Sequence, residues 1–559
     1  MPLTTLPEKA VRKMRNLLTP GTRWEPLLRR EKDLWNRLKA LPKASRVLIA
    51  TSSAGHEAVT PVESLVGTAL TARGAEVRFL VCDAVTPACQ LMTYPDVMQN
   101  GKWSETRRRK ICTSCRRRGS AAYDALQLPL HRFSEFLTPS DSEERRRLAR
   151  SLPLAEIRTY REDGLEIGEQ AYAGALRFFA RGSLEGEPQE EAVVRRYFEA
   201  ALLARSVMER YLDQHPCDAA VFHHGIYVPQ GVIAGVLRRR GVRVVNWNLA
   251  YRKKRVIFSH QDTYHHTLLA EPSAAWESLP WTRARDLGLT DYLESRKRGR
   301  QDWISFYKEP AFPGPEWRRK LGMNPEKPFA LLLTNVIWDA QLHYPANAFP
   351  DMLSWIFESI DYFSRRPELE LVIRIHPAEI RGLPVSRQRV YDEIQKRFLK
   401  LPGNVFVIQP ENPLSTYRLA EDCNVALIYG TKTGVELAAR GIPLVVAGEA
   451  WIREKGLSLD ASSREEYLKH LDLLPLTKDS GGPTRERARR YAYHFFFRRM
   501  IPLRSLQERR GVWPPVRAEV KALKDVLPGA DPGLDVICHG ILDGADFIYP
   551  AEEYDEACD

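Results

Sequence analysis

Short apolar runs alternate with longer mixed segments along most of the chain, and their spacing predicts strand–helix–strand units. Arg46 to Thr51 (RVLIAT) predicts a buried strand. The loop SSAGHE follows, then a helix from about Ala58 to Arg73 closed by Gly74 at C′, then a strand from Val77 to Cys82. The order returns at the strand Ala219 to Phe222, a helix near Pro229 to Arg240, Gly241, and the strand Val242 to Trp247. Between them lie a Cys-bearing insertion and mostly helical sequence, including Glu190 to Asp213. From Pro328 the alternation restarts, with strands at Phe329 to Leu333, Leu369 to Ile375, Val405 to Ile408, Val425 to Tyr429 and Pro443 to Ala447. Helices are predicted between them at Pro350 to Arg366, near Arg387 to Leu399, at Leu414 to Ala420 and at Val435 to Arg440. Strands alternating with helices imply parallel sheets covered on both faces. The predicted class is α/β, with two Rossmann-like doubly wound domains and a ligand cleft expected between them.

This pattern divides the 559 residues into a helical leader (1–44) and a first domain (45–270) with the Cys insertion at 82–150. A connection (271–327), a second domain (328–475) and a tail of closing helices (476–559) follow. Composition is that of a globular protein, 44% hydrophobic and 28% charged, which excludes disordered and fibrous classes. Met1 to Arg23 lacks an apolar stretch, and runs such as Phe329 to Leu333 are too short to span a bilayer. A cytoplasmic protein is expected, with peripheral contact to an anionic membrane left open. The net charge of +12 gathers in runs at Arg107 to Lys110, Arg116 to Arg118, Arg145 to Arg147, Arg238 to Arg240 and Arg252 to Arg255. Such runs attract polyanions or form solvated helix faces.

Candidate chemistry lies where predicted strands end. Gly430-Thr-Lys-Thr-Gly434, between a strand and a helix, offers unpaired N–H groups, two hydroxyls (Thr431, Thr433) and the charge of Lys432 to a phosphate. Glu436, one turn into the helix, offers a carboxylate to a ribose. The alternative is a Gly-rich turn with a Thr cap. Arg374-Ile-His376-Pro-Ala-Glu379 ends another strand of the domain, and Asn335 and Asp339 follow a third. Three polar loops on one rim point to a bound ligand.

A strand ending in His-Pro, then a Gly-rich loop, then E-x-A-x-x-G-I-P (Glu436 to Pro443) resembles the capsule polysaccharide biosynthesis glycosyltransferases of GT-B architecture, a group that includes the capsule Kdo transferases. The resemblance covers roughly 329–456. It implies a nucleotide-sugar donor held by His376 and by Thr431 to Glu436. Asn335, Arg374, Glu379, Lys432, Thr433 and Gly434 are the further donor-site candidates.

In the first domain, Ser53-Ala-Gly-His56-Glu57 before the helix is similar to the opening of many GT-B transferases. By that likeness His56 takes the acceptor's proton, with Glu57 orienting or replacing it. A rim histidine of near-neutral pKa suits a general base; the alternative is a helix-capping loop. His223 and His224 end a predicted strand, and Ser259-His260-Gln-Asp262-Thr-Tyr-His265-His266 adds more histidines. His223, His224, His260 and His265 are candidates for the acceptor side. The second group is read as hydrogen-bonding rather than metal-binding.

Cys82 and Cys89, with the Cys112-x-x-Cys115 pair between Arg runs, have the count for a Cys₄ site. Zn²⁺ and an Fe–S cluster share this ligand set; a redox pair or separate buried thiols are the alternatives. The expected activity is transfer of a sugar from a nucleotide-sugar to a surface polysaccharide, glycan or lipid-linked acceptor. A glycerophosphotransferase or nucleotide-sugar epimerase shares the architecture. A basic nucleic-acid-binding metalloprotein is the alternative of another class, disfavoured because it leaves both nucleotide-type domains without a role.

Overall fold

A computed structural model of the chain describes residues 22–50, 52–56, 58–93, 102–304, 306, 310–314, 316–479, 481–508 and 516–554. The chain forms two compact units. One comprises the chain up to Ala175, Pro188–Tyr264 and Arg499–Tyr549; the other comprises Leu176–Glu187, His265–Arg498 and the chain from Pro550. The 271–327 stretch, expected to connect two domains, lies within the second unit. The tail is divided between the two.

The first unit is a seven-stranded sheet. Its strands are β1 (Ser45–Ile49), β2 (Ala75–Val81), β3 (Leu130–Arg132), β4 (Ala219–His223), β5 (Arg243–Leu249) and β6 (Arg255–His260), with Ile501–Pro502 at one edge. The spatial order is 501–502, β6, β5, β4, β1, β2, β3. β1 to β5 are parallel, and β6 runs antiparallel to β5. Burial of the middle strands explains their unbroken apolar runs: Val47, Leu48 and Ile49 are at most 1% exposed. The helix Val59–Thr71 is buried at every position but Pro61. It packs between β2, the helix Glu105–Asp124 and the helix Pro532–Asp543, which is why its sequence shows no polar face. Gly74, at φ +81°, takes the left-handed C′ position expected of it.

The stretch expected to be a Cys-bearing insertion is instead a crossover of the sheet. β2 leads through the 20-residue helix Glu105–Asp124 to β3, which pairs parallel with β2. The helix carries ETRRRKICTSCRRRGSAAYD, with Gly119 and Tyr123 as its buried residues. Its polarity hides the crossover from any apolar pattern.

The second unit repeats the plan. Strands β7 (Phe329–Leu333), β8 (Glu370–Arg374), β9 (Val405–Ile408), β10 (Val425–Ile428), β11 (Leu444–Val446) and β12 (Leu459–Asp460) stand in the order β12-β11-β10-β7-β8-β9, all parallel. β7 and β8 are buried at every residue. One face of the sheet packs on Met352–Ser364 through Trp355, Ile356, Ile360 and Phe363, a core that also takes in Val390, Ile394 and Tyr467.

Two of the basic runs are largely paired within the first unit. Arg145 pairs with Glu162, Arg146 with Glu143 and Glu199, Arg239 with Glu209, and Arg240 with Glu209 and Asp213. No described helix is long and apolar enough to cross a membrane.

Trp355, fully buried, is expected to carry much of the second core. Trp355→Ala should lower the stability of that unit by about 3–5 kcal/mol. Leu473→Ala, at a position 57% exposed, should change it by less than about 0.5 kcal/mol. Urea unfolding followed by circular dichroism compares the two.

Candidate functional site

Each sheet begins in its middle, and the loops that matter leave the strands at that point. In the second unit the order reverses between β7 and β10, the place where α/β sheets bind ligands. Asn335, just past β7, donates its side-chain amide to the Gly430 carbonyl just past β10. The backbone N–H of His376, past β8, donates to Thr334 Oγ1 at 3.0 Å. Three adjacent strand ends are thereby tied into one rim carrying Asn335, His376 and the Gly430–Gly434 loop.

His376 is half-buried. Its Nδ1 accepts the Ala378 N–H at 3.1 Å, so the neutral ring carries its proton on Nε2. Burial, aided by the charges of Lys432 and Arg374, lowers its pKa to about 4, which keeps the ring neutral. The result is a fixed hydrogen-bond donor beside a lysine. Thr431 Oγ1 accepts the Thr433 N–H at 3.3 Å, and the two hydroxyls lie 3.3 Å apart. The helix behind them, Thr433–Ala438, has six residues, so no long helix dipole stands behind the loop. Gly434 serves packing: a Cβ there would stand 2.6 Å from Ile428 Cδ1.

Glu436 occupies a different place from the one expected. It is fully buried, and its carboxylate is held by Arg296 Nε at 2.8 Å, Lys432 Nζ at 3.0 Å and the Tyr417 hydroxyl. Arg296 also pairs with Asp302, which accepts from the Tyr292 hydroxyl at 3.0 Å. Burial opposes the charge on Glu436, but Arg296 and Lys432 outweigh it and hold the pKa at about 2. Lys432 is lowered to about 8 by burial and by Arg296, against the pull of Glu436. This buried network sets where Lys432 stands.

Two more candidates also turn inward. Arg374 donates to the carbonyls of Gln409 (2.7 Å) and Asn412 (2.8 Å). Glu379 accepts the Val390 N–H at 2.9 Å, and burial raises its pKa to about 7. Both shape the rim's support. Asp339 pairs with Arg177 at 2.6 Å.

His265 and His266 belong to the second unit, beside Glu449 of the loop after β11. Their Nε2 atoms lie 3.5 and 3.2 Å from Glu449 Oε2. The three are the group among the described residues with metal-compatible spacing. However, Trp451 Nε1–H donates to His265 Nδ1 at 2.9 Å, which leaves the His265 proton on Nε2, facing Glu449. Burial works against the Glu449 charge, and hydrogen bonds from His265, His266 and the Ala346 N–H prevail, holding its pKa at about 2. The three side chains stand in close contact, backed by Tyr344 stacked on His265 at 3.8 Å.

In the first unit the order reverses between β1 and β4, and there His56 and His223 approach to 5.6 Å between ring centroids, with His224 5.5 Å from His223. His56 Nδ1 accepts the Ala58 N–H at 3.1 Å and the Val59 N–H at 3.4 Å, and burial lowers its pKa to about 4. Its neutral ring carries the proton on Nε2, so His56 as placed is a donor, not a base. Glu57 lies outside the described residues. His224, Gly225 and Tyr227 have positive φ (79°, 83° and 66°), a concentration of left-handed backbone typical of functional loops. His260 is separated from this rim. β6 runs antiparallel, carrying His260 back beside Val245, where it bonds Ala545 O at 2.9 Å and stacks on Phe547.

Sequence reasoning missed Arg296, Asp302, Tyr417 and Glu449. The first three have no local signal, because their partners are remote in sequence. Glu449 follows a predicted strand end and was open to the rule that found His376.

No protein-family model matches the chain, and no curated protein matches it in sequence. Solved structures similar to it include the beta Kdo 2,4 transferase KpsC of Thermosulfurimonas dismutans, 13% identical, with 50% of this chain and 80% of that one covered and a TM-score of 0.34. Sucrose-phosphate synthase of Thermosynechococcus elongatus is 10% identical over 81% of this chain and 95% of that one, with a TM-score of 0.28. UDP-GlcNAc 2-epimerase from Neisseria meningitidis, bound to UDP-GlcNAc, is 11% identical over 80% and 95%, with a TM-score of 0.23. Kdo transferases, the group that the loop motifs resemble, are thus among the structural neighbours. The α/β class with two doubly wound sheets follows from the strand orders themselves.

Glu436→Ala leaves Arg296 and Lys432 buried without their shared carboxylate and is expected to destabilise the second unit by about 3–5 kcal/mol. Because its folded pKa is depressed, the stability from Glu436 is fully present above about pH 4.5 and is lost as pH falls through about 2. Unfolding of the variant and the parent at pH 7, without nucleotide, checks the magnitude.

Proposed function

We propose that the protein is a glycosyltransferase that moves a sugar from a nucleotide-sugar donor to a surface polysaccharide, glycan or lipid-linked acceptor. The observation that carries this reading is the stitched rim of the second unit. At a strand-order reversal, a fixed Nε2–H donor (His376), a cation (Lys432) and two hydroxyls (Thr431, Thr433) stand together, a set suited to a diphosphate. The order of these motifs in the chain, which resembles that of the capsule transferases, supports a sugar nucleotide over other phosphates. Asn335 positions the loop, and the Glu436 network positions the lysine.

The histidines of the first unit take the acceptor. His56 donates through Nε2 to the acceptor oxygen, and the pair His223 and His224 receives the proton. An exposed anion and a hydroxyl nucleophile thereby have separate binding groups, as transfer requires.

His376→Asn retains an acceptor for the Ala378 N–H while removing the Nε2 donor. It should leave the fold intact and weaken binding of nucleoside diphosphates by about tenfold or more. Binding should also weaken as pH rises through about 8, where Lys432 loses its proton. Calorimetry across a nucleotide panel tests both, and unchanged affinity in the variant rejects the donor site.

For the acceptor side, His223→Asn with His224→Asn should lower kcat by at least about 10²-fold with donor affinity preserved. His56→Asn, which retains the helix cap, should lose about tenfold. A nucleotide-sugar converted without transfer to an acceptor would favour an epimerase instead.

A further inference from the structure

Cys82, Cys89, Cys112 and Cys115 all lie in the first unit, on separate stretches of chain. Cys82 directly follows β2. Cys89 precedes the short 3-10 turn Gln90–Thr93, which packs on the helix Glu105–Asp124. Cys112 and Cys115, three residues apart on that helix, share one of its faces. Helical spacing makes the two neighbours. All four are half-buried and outside any disulfide. They are near enough for their charges to interact: Cys89 with the other three, and both Cys112 and Cys115 with Cys82.

The helix is seated tightly on the loop that carries His56. A Cβ on Gly55 would lie 2.2 Å from Cys115 Cα, and one on Gly119 would lie 2.3 Å from Ala54 Cβ. The Gly55 N–H donates to Cys115 Sγ at 3.0 Å. Such a backbone N–H bond stabilises negative charge on a ligating sulfur. Arg108, with Nη1 3.9 Å from Cys112 Sγ, adds positive charge beside the group.

Two ligands have the chemistry for four thiolates, and sulfur spacing separates them. One tetrahedral Zn²⁺, with bonds of about 2.3 Å, draws all its sulfurs to within about 4 Å of each other. Among the described residues, the group of three or more ligand atoms mutually within 4.8 Å is His265, His266 and Glu449. No three of the four sulfurs are therefore that close. Thiolates of a cluster bind separate irons, so they need not crowd around a single ion.

We propose that Cys82, Cys89, Cys112 and Cys115 hold an iron–sulfur cluster, rather than a single zinc ion, and that the cluster fastens the His56 loop to the helix Glu105–Asp124. The site would then order the acceptor side of the enzyme without entering the transfer step. It does not rest on the donor reading, because metal content and sugar transfer are measured separately.

The test uses the full chain purified without oxygen and analysed for iron, zinc and acid-labile sulfide, with visible absorption and electron paramagnetic resonance after reduction. About two to four irons per chain with matching sulfide are expected. Cys112→Ser with Cys115→Ser should lose them, while Cys217→Ser with Cys423→Ser should retain them. One zinc per chain without iron, neither metal, or iron kept by the Cys112 and Cys115 variant would overturn the proposal. If that variant does not fold, the metal content of the parent chain decides.

Discussion

Parallel strands cannot be joined by tight turns; each connection must cross one face of the sheet as a helix. A chain that starts in the middle of its sheet must at some point turn and build the other half. Both units of this protein do so after their third strand. The reversal separates two neighbouring loops, those after β1 and β4 in one unit and those after β7 and β10 in the other. His56, His223, Asn335 and the Gly430–Gly434 loop leave the sheets at these reversals, and His376 leaves one strand away. His260 stands apart because its strand is antiparallel.

Both rims use the same local device. In His56 and in His376, Nδ1 accepts the N–H of the residue two positions on, at 3.1 Å in each case. That bond fixes the ring, satisfies a backbone donor and forces the neutral proton onto Nε2. With burial lowering both pKa values to about 4, each ring is a constant donor over the physiological range. A histidine so held binds an oxygen well and accepts a proton poorly. That division suits His376 to the donor-side role proposed for it, and it is why the proposal has His56 bind an oxygen rather than take a proton.

Charge inside the second unit is arranged on a similar economy of function. Glu436 faces Arg296 and Lys432, and Asp302 faces Arg296, so two cations meet two carboxylates out of water. Such a group contributes little net stability compared with an apolar core, yet it is costly to break. Its value lies in position: Lys432 is anchored from below by a carboxylate that never reaches the surface.

The alternation of apolar runs by itself determined the two α/β sheets, nearly every parallel strand and the loops at their ends, because a strand buried on both faces must be apolar throughout. It determined His376, Lys432 and the two threonines as rim residues for the same reason. It could not reveal the Glu105–Asp124 helix as a sheet crossover, since Arg-rich polar sequence has no apolar period. Nor could it give the direction of β6, which depends on pairing with β5. Glu436 read as a rim carboxylate because its partner Arg296 lies 140 residues earlier, within a run that resembles a solvated helix end. Tautomers, too, belonged to the tertiary structure alone: which histidine nitrogen holds the proton is set by the neighbour that bonds the other one, and for His265 that neighbour, Trp451, is brought close only by the fold.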